Sequence, residues 1–211
     1  MKRILAIAAA LLLVAGVATT VIVHVANSHA SGTPSSLVAY WPADSGGLDT
    51  AGGIQGVLEN GAALVPGINA AGNTADQAFG LDGVNADVSL TNPTSVLSIS
   101  DTIAVSAWLK PAAQTNSQGG WYFSRRDPLV SESFSAAIMQ DNSIEVIVRA
   151  GLLGPNGEYF HSAAGAVTVG QWQNVVVTAA SGDTVRAYVN GTPVAMSPVG
   201  ATDSATLGGP L

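Results

Sequence analysis

The stretch that most constrains the fold is residues 171–194, "QWQNVVVTAASGDTVRAYVNGTPV". It holds two β-branched runs, "NVVVTAA" and "TVRAYVN", and each is followed by a turn dipeptide, Gly182-Asp183 or Asn190-Gly191. β-Branched residues favour strands, and Asn-Gly favours the tight turn of a hairpin. The stretch therefore predicts antiparallel strands joined by short turns.

The same pattern recurs along the chain from Leu37 onward. "LVAYW" reads as a first strand, and Asp82-Gly83 lies between strand-like flanks. "TIAVSAWLKP" alternates, with four apolar residues on one face and Trp108 on the other, and "SAAIMQ" and "SIEVIVRA" flank an Asp-Asn turn. No long helical pattern occurs in this part. Many short strands with Gly and Asn turns predict an all-β fold, a two-sheet antiparallel β-sandwich or jelly roll.

Charge and cysteine content exclude several classes of protein. Asp and Glu outnumber Lys and Arg 14 to 7, for a net charge of −7. A nucleic-acid partner is not expected, because binding a phosphate backbone needs clustered basic residues. The chain has no Cys, which removes disulfides, thiolate catalysis and Cys-based zinc sites.

The N-terminus has the features of a targeting segment. Lys2 and Arg3 precede an uncharged apolar run over 4–23, and small residues follow up to Ala30. This pattern predicts a signal peptide over 1–30, or an uncleaved hydrophobic helix that spans the membrane through residues 4–25. Both interpretations place the domain outside the cytoplasmic membrane, either secreted or anchored to its outer face, since basic residues stay inside. Residues 31–36 are a polar linker, and the domain is expected over 37–211.

Four blocks in order carry a family resemblance: "LVAYWPADS", "GINAAGNTADQAFGLDGVNADVSL", "TIAVSAWLKP" and "GQWQNVVVTAASGDTVRAYVNGTPV". Their order and spacing, over about 37–195, resemble the laminin-G-like family, which has the concanavalin A-like jelly-roll fold. The resemblance implies two packed antiparallel sheets built for binding, often supported by calcium, in secreted or surface proteins.

The chain also departs from that family. Residues 49–56, "DTAGGIQG", keep Asp49 and the glycines but lack the family's asparagines, and the chain stops at "ATLGGPL", where the family continues into further strands. A domain incomplete at its C-terminus is therefore expected. Its strand at 37–41 would then have an open apolar edge, which is prone to strand exchange with another chain.

The tryptophans divide into two groups. Trp41, Trp108 and Trp172 fall at positions that match the family scaffold, so they are expected in the core. Trp121 lies in a Gly-rich polar stretch, where an aromatic ring can stack on a sugar. Arg125 and Arg126 follow it and can donate to hydroxyls or carboxylates. Burial of Trp121 against a loop is an equal alternative.

Two other groups are candidates for binding. Residues 154–165 read as a rim loop that presents Tyr159 and His161, although a solvated His is the simpler interpretation. Asp44 and Asp49 flank a Gly pair, and calcium prefers carboxylate and carbonyl oxygens, so they are candidate calcium ligands. Plain turns also favour Asp and Gly, which leaves that alternative open.

Three functions remain possible on this fold. The first is a non-catalytic module that binds glycans or a surface protein. The second is a glycoside hydrolase, which needs a pair of carboxylates. The chain has only four Glu residues, and none forms an acidic pair on a predicted strand, so an enzyme is not expected. The third is a structural or assembly subunit, and the fold alone does not choose between them.

Overall fold

The computed structural model describes residues 18–19, 23–27, 35–90, 102–113, 119–125, 134–148, 158–180 and 184–199. These residues form strands, turns and loops, without a helix. The described strands are β1 (Ala18–Thr19), β2 (Val23–Asn27), β3 (Ser35–Trp41), β4 (Gly56–Glu59), β5 (Ala63–Pro66), β6 (Gln77–Gly80), β7 (Asp87–Leu90), β8 (Thr102–Leu109), β9 (Gly120–Arg125), β10 (Phe134–Ile138), β11 (Ile144–Val148), β12 (Glu158–Ser162), β13 (Gln173–Ala180), β14 (Arg186–Val189), β15 (Thr192–Val194) and β16 (Met196–Val199).

Two antiparallel sheets dominate the architecture. One has five strands in the order β16-β12-β11-β10-β9, and the other has four in the order β15-β14-β13-β8. Smaller antiparallel units are β1-β6-β5, β2-β3 and β4-β7. The prediction of an all-β antiparallel sandwich is confirmed.

The core lies between the two larger sheets, and strand alternation decides which residues enter it. In β13 every second residue is buried, including Val175 and Val177, while the residues between are half-exposed. From the five-stranded sheet, Ala136 and Val146 join the same cluster. The period-2 pattern that predicted the strands is thus the pattern that buries one face of each sheet.

One continuous segment links the two sheets. β15 pairs with β14 at the edge of the four-stranded sheet, and after Ala195 the chain continues as β16, which pairs with β12 at the edge of the five-stranded sheet. Val194 and Met196 both pack against the core on either side of this crossing. The sandwich is therefore joined along this edge by the chain itself.

The turn after β3 is organised by a buried carboxylate. Asp49 is 4% exposed, and its two oxygens accept the backbone N–H groups of Tyr40, Ala51, Gly52 and Ile54. A Cβ at Gly52 would lie 2.0 Å from the carbonyl oxygen of Val38, so only glycine fits there. These contacts fold residues 42–55 back against the end of β3.

The N-terminal segment differs from its prediction where the structure describes it. Residues 18–19 and 23–27 are the strands β1 and β2, and the rest of the segment predicted to be an N-terminal hydrophobic helix lies outside the described residues. β2 pairs with β3, which therefore has a neighbouring strand rather than the expected open edge. The physical reason is that "VIVHVAN" (21–27) is rich in β-branched residues, which favour a strand beside an available edge. The described residues contain no helix with the length and hydropathy of a membrane span.

Candidate binding site

The five-stranded sheet has a second face that does not belong to the main core. Ala137, Ile147 and Tyr159 are buried, yet they are not members of the core cluster that holds their strand neighbours. Glu145 and Ser135 alternate onto the same side and are also buried. We call this side the Glu145 face. It combines polar and aromatic groups on a rigid sheet, which is a suitable base for a binding site.

One row of residues crosses the Glu145 face from strand to strand. The registers place Trp121 opposite Ala137, Ala137 opposite Glu145, Glu145 opposite His161, and His161 opposite Ser197. Directly opposed residues share a face, and strands lie about 4.8 Å apart. The strands that carry Trp121 and Glu145 are therefore about 10 Å apart. The row combines an aromatic group at one end with a Glu–His pair near its centre.

A β-bulge puts Trp121 in this row. Ala136 pairs with Phe123 and Ala137 with Trp121, so Tyr122 is the extra residue on β9. Without the extra residue, strict alternation would turn Trp121 toward the core together with Phe123. The bulge re-aims the side chain, which is a frequent role of bulges near functional sites.

Glu145 and His161 form the polar centre of the row. His161 Nε2 donates to Glu145 Oε2, and the pair is an ion pair when the imidazole is protonated. The Glu145 side chain is 3% exposed, whereas that of His161 is 33% exposed. The other carboxylate oxygen, Oε1, is buried without a hydrogen-bond partner. A buried acceptor without a partner is costly, so Glu145 has an unused capacity to accept a hydrogen bond.

Neighbouring contacts fix the position of this pair. The N–H of Ile144, next to Glu145, donates to Oγ of Ser162, next to His161, at 2.8 Å. After β12 the chain folds over the β10–β11 turn, where Gly165 N–H donates to the carbonyl of Asp141. These bonds hold the two strands in register, so the Glu145–His161 contact is preorganised by backbone structure.

A second carboxylate interacts with His161 electrostatically. Asp141 lies in the β10–β11 turn, and hydrogen bonds from the side chain and backbone of Ser143 lower its pKa, with a smaller contribution from the charge of His161. Asp141 accepts the Ser143 N–H at 3.0 Å. The surroundings of His161 are therefore acidic on the turn side as well as on the sheet.

The structure brings together some of the residues predicted from the sequence. Trp121, Tyr159 and His161 all lie on strands of the five-stranded sheet, so the predicted rim loop over 154–165 contains a strand. Tyr159 is buried two residues before His161 on the same face. Arg125 ends β9 opposite Phe134, a different register position from Trp121. Arg126 lies outside the described residues.

The two candidate calcium ligands both accept hydrogen bonds from backbone N–H groups. Both oxygens of Asp49 accept backbone N–H groups. Asp44 is exposed, and its Oδ1 accepts the Gln77 N–H. Among the described residues no three His, Asp or Glu side chains are grouped in a way that could hold a metal ion. Calcium dependence stays a prediction.

The tryptophans occupy more varied positions than the family scaffold suggested. Trp41 is 1% exposed and donates its indole N–H to the carbonyl of Ile54, as expected for the core. Trp108 and Trp172 are only partly buried. Trp108 alternates away from the buried apolar residues of β8, and Trp172 precedes the first residue of β13. Trp121 is partly exposed as well, but it alone of these four lies on the Glu145 face.

The sequence patterns did not identify Glu145 as a candidate binding residue, although its position inside an apolar strand is unusual. It is the polar residue in "IEVIV", where its neighbours are apolar and buried on both sides. A charged residue inside an apolar strand is rare unless it is paired. The partner, His161, is 16 residues away on the next strand of the sheet, and single-strand patterns do not identify such a pair.

Comparison with known protein families identifies the superfamily of this chain. The family model described as "Concanavalin A-like lectin/glucanases superfamily" matches residues 82–211, more than half of the chain. The chain belongs to this superfamily. The match includes β8 to β16, which form both large sheets. No curated protein and no solved structure matches the chain significantly.

Membership in the superfamily indicates the general type of function. The concanavalin A-like fold, with its antiparallel sandwich, fits a binding or glycan-related module. The Glu145 face belongs to the part of the chain that the family model covers.

Proposed function

We propose that this protein is an extracytoplasmic, non-catalytic module that binds glycans through the Glu145 face. The observation that carries the proposal is the cross-strand row of Trp121, Glu145 and His161. A partly exposed indole can stack on the apolar face of a sugar ring. The His161 side chain is 33% exposed and can contact a sugar hydroxyl, while the buried Glu145 orients its imidazole.

Binding without hydrolysis is favoured by the acid content of this face. Among the described residues of the five-stranded sheet, Glu145 is the one carboxylate whose register places it on the Glu145 face. Glycosidic cleavage uses two carboxylates that flank the scissile bond. A lone buried carboxylate bonded to His161 is better suited to orient the imidazole that contacts a ligand.

The test is a glycan array probed with the full chain, followed by titration of the best ligand. Trp121→Ala and Glu145→Gln should each weaken binding tenfold or more, which corresponds to at least about 1.4 kcal/mol. Trp172→Ala is the matched control, because it removes a partly buried indole outside the row and should leave affinity unchanged.

Two results would contradict the proposal. One is absence of binding to every glycan on the array, and the other is an equal loss of affinity in the control and in the row variants. Release of new reducing ends from a bound glycan would instead identify a hydrolase. The array is run in excess EDTA and in millimolar calcium, so that calcium dependence is measured at the same time.

A further inference from the structure

β2 lies between two other strands, β3 and β8, and we call the space that it fills the interval. It pairs antiparallel with β3, from Val23 opposite Trp41 to Asn27 opposite Ser35, and it also contacts β8. β3 itself is not paired with β8 in the described part of the chain. The interval is therefore one strand wide, and β2 bridges its two sides.

The β3 side of the interval is held in place without β2. Tyr40 donates its N–H to Asp49 Oδ1, and its carbonyl accepts the N–H of Thr50. Backbone groups alternate between the two edges of a strand, so Ala39 and Trp41 direct their N–H and C=O groups to the opposite edge, where β2 lies. Trp41 is further fixed by its indole bond to Ile54. The acceptor edge is thus preformed by residues 35–55.

The segment that fills the interval would lie elsewhere if it served as a leader or a membrane anchor. Residues 21–27, "VIVHVAN", are uncharged and rich in β-branched residues, which favours a strand. The same residues end the apolar run that the sequence predicts to be a leader or membrane anchor. A segment inside a bilayer, or removed with a leader, cannot pair with β3. Occupation of the interval therefore depends on what happens to this segment.

We propose that the interval between β3 and β8 is a strand-acceptor site for an extended, uncharged, β-branched peptide segment. Residues 23–27 of the same chain occupy it in the intact protein. When they are absent, the edge at Ala39 and Trp41 presents unpaired N–H and C=O groups, and an extended peptide satisfies them by adding a strand.

The first experiment tests occupation in the full chain, which has no native Cys. His24 lies opposite Tyr40. Because the backbone groups of Tyr40 face Asp49 and Thr50, this pair is of the non-hydrogen-bonded type, with Cα atoms about 4.5 Å apart, within the range that a disulfide spans. His24→Cys/Tyr40→Cys should therefore cross-link under mild oxidation.

The matched control is His24→Cys/Val38→Cys. Its positions are one diagonal step out of register, roughly 7–8 Å apart, so it should cross-link poorly. Equal cross-linking of the two variants, or none in either, would show that β2 does not occupy the interval and would overturn the proposal.

The second experiment tests acceptance of a separate strand. A protease site inserted after Gly32 allows the folded full chain to be cut between β2 and β3. The N-terminal fragment should stay bound after cleavage and should be displaced by excess fluorescent peptide of residues 18–30. The same peptide with Val25→Pro should bind at least tenfold more weakly, because proline removes a ladder N–H.

Two results would contradict the proposal that the interval accepts a separate peptide. In one, the fragment dissociates and no peptide binds in its place. In the other, the fragment is retained and never exchanges, which would make β2 a permanent strand of the domain. Neither readout involves a glycan, so failure here is distinguishable from failure of the proposed function.

Discussion

At the scale of single residues, two buried polar groups differ in whether they have hydrogen-bond partners. The carboxylate of Asp49 accepts four backbone N–H groups and organises the turn after β3. The hydroxyl of Tyr122 is buried without a hydrogen-bond partner, and burial raises the pKa of this tyrosine. Two buried polar residues of the same domain therefore have opposite effects on its stability.

We expect Asp49→Ala to lower the free energy of unfolding by about 3 kcal/mol, because it leaves several buried N–H groups without an acceptor. Asp44→Ala is the control, since Asp44 is exposed and its Oδ1 accepts a hydrogen bond of 3.0 Å from the Gln77 N–H. It should cost less than about 1 kcal/mol. Urea unfolding of both variants measures the difference, and equal losses would show that the Asp49 network is not stabilising.

Tyr122→Phe should raise the free energy of unfolding by about 1 kcal/mol, because it removes a hydroxyl that is desolvated without compensation. Tyr188→Phe, at a partly exposed position, should change it by less than about 0.5 kcal/mol. A loss of stability in Tyr122→Phe would mean that the hydroxyl has a partner in solution, such as an internal water.

At the scale of elements, turns and bulges decide which side chains share a face. Asn190 and Gly191 connect β14 to β15 with positive φ angles of 50° and 79°. This is the pattern of a two-residue hairpin turn, as the Asn-Gly dipeptide predicted. The bulge in β9 has no comparable sequence signal, yet it determines that Trp121 joins Glu145 and His161.

Replacement of Gly191 by Ala should destabilise the protein by about 1 kcal/mol, because its φ of 79° disfavours any side chain, although no atom lies within 4 Å of the added Cβ. Gly72→Ala also meets open space, without a positive φ, and should be neutral or slightly stabilising. If the two variants melt at the same temperature, the left-handed turn geometry at Gly191 is not maintained in solution.

At the scale of the whole molecule, acidic turns make stability depend on pH. N–H groups led by Val84 lower the pKa of Asp82, and bonds from Ser143 lower that of Asp141. A carboxyl whose pKa is lower in the folded state adds stability above its ordinary pKa of 3.8, and this stability is lost as the pH falls through the folded value.

Urea unfolding should therefore show stability declining from about pH 4 downward. Asp82→Asn/Asp141→Asn should be less stable than the unmodified chain at pH 7, and the two curves should converge as the pH falls and both carboxyls become protonated. Parallel curves over this range would contradict a contribution from these two turns.

The sequence by itself determined the strands and their buried faces, since these follow from local chemistry. Alternation in residues such as Val175 and Val177 reflects the period of a strand, and Asn190-Gly191 is a turn wherever the flanks are extended. The order of the sequence blocks also indicated the superfamily. Each of these features depends on residues that are close together in the chain.

Only the tertiary structure decided which distant residues meet. Glu145 and His161 are paired because β11 and β12 are neighbours in register, and Trp121 joins them because one extra residue in β9 shifts its side chain to their face. The segment 23–27, which has the composition of a leader, is a strand because β3 offers it an edge. Cross-strand register and edge availability are set by the competition among all strands for partners, and a local pattern contains no information about the outcome.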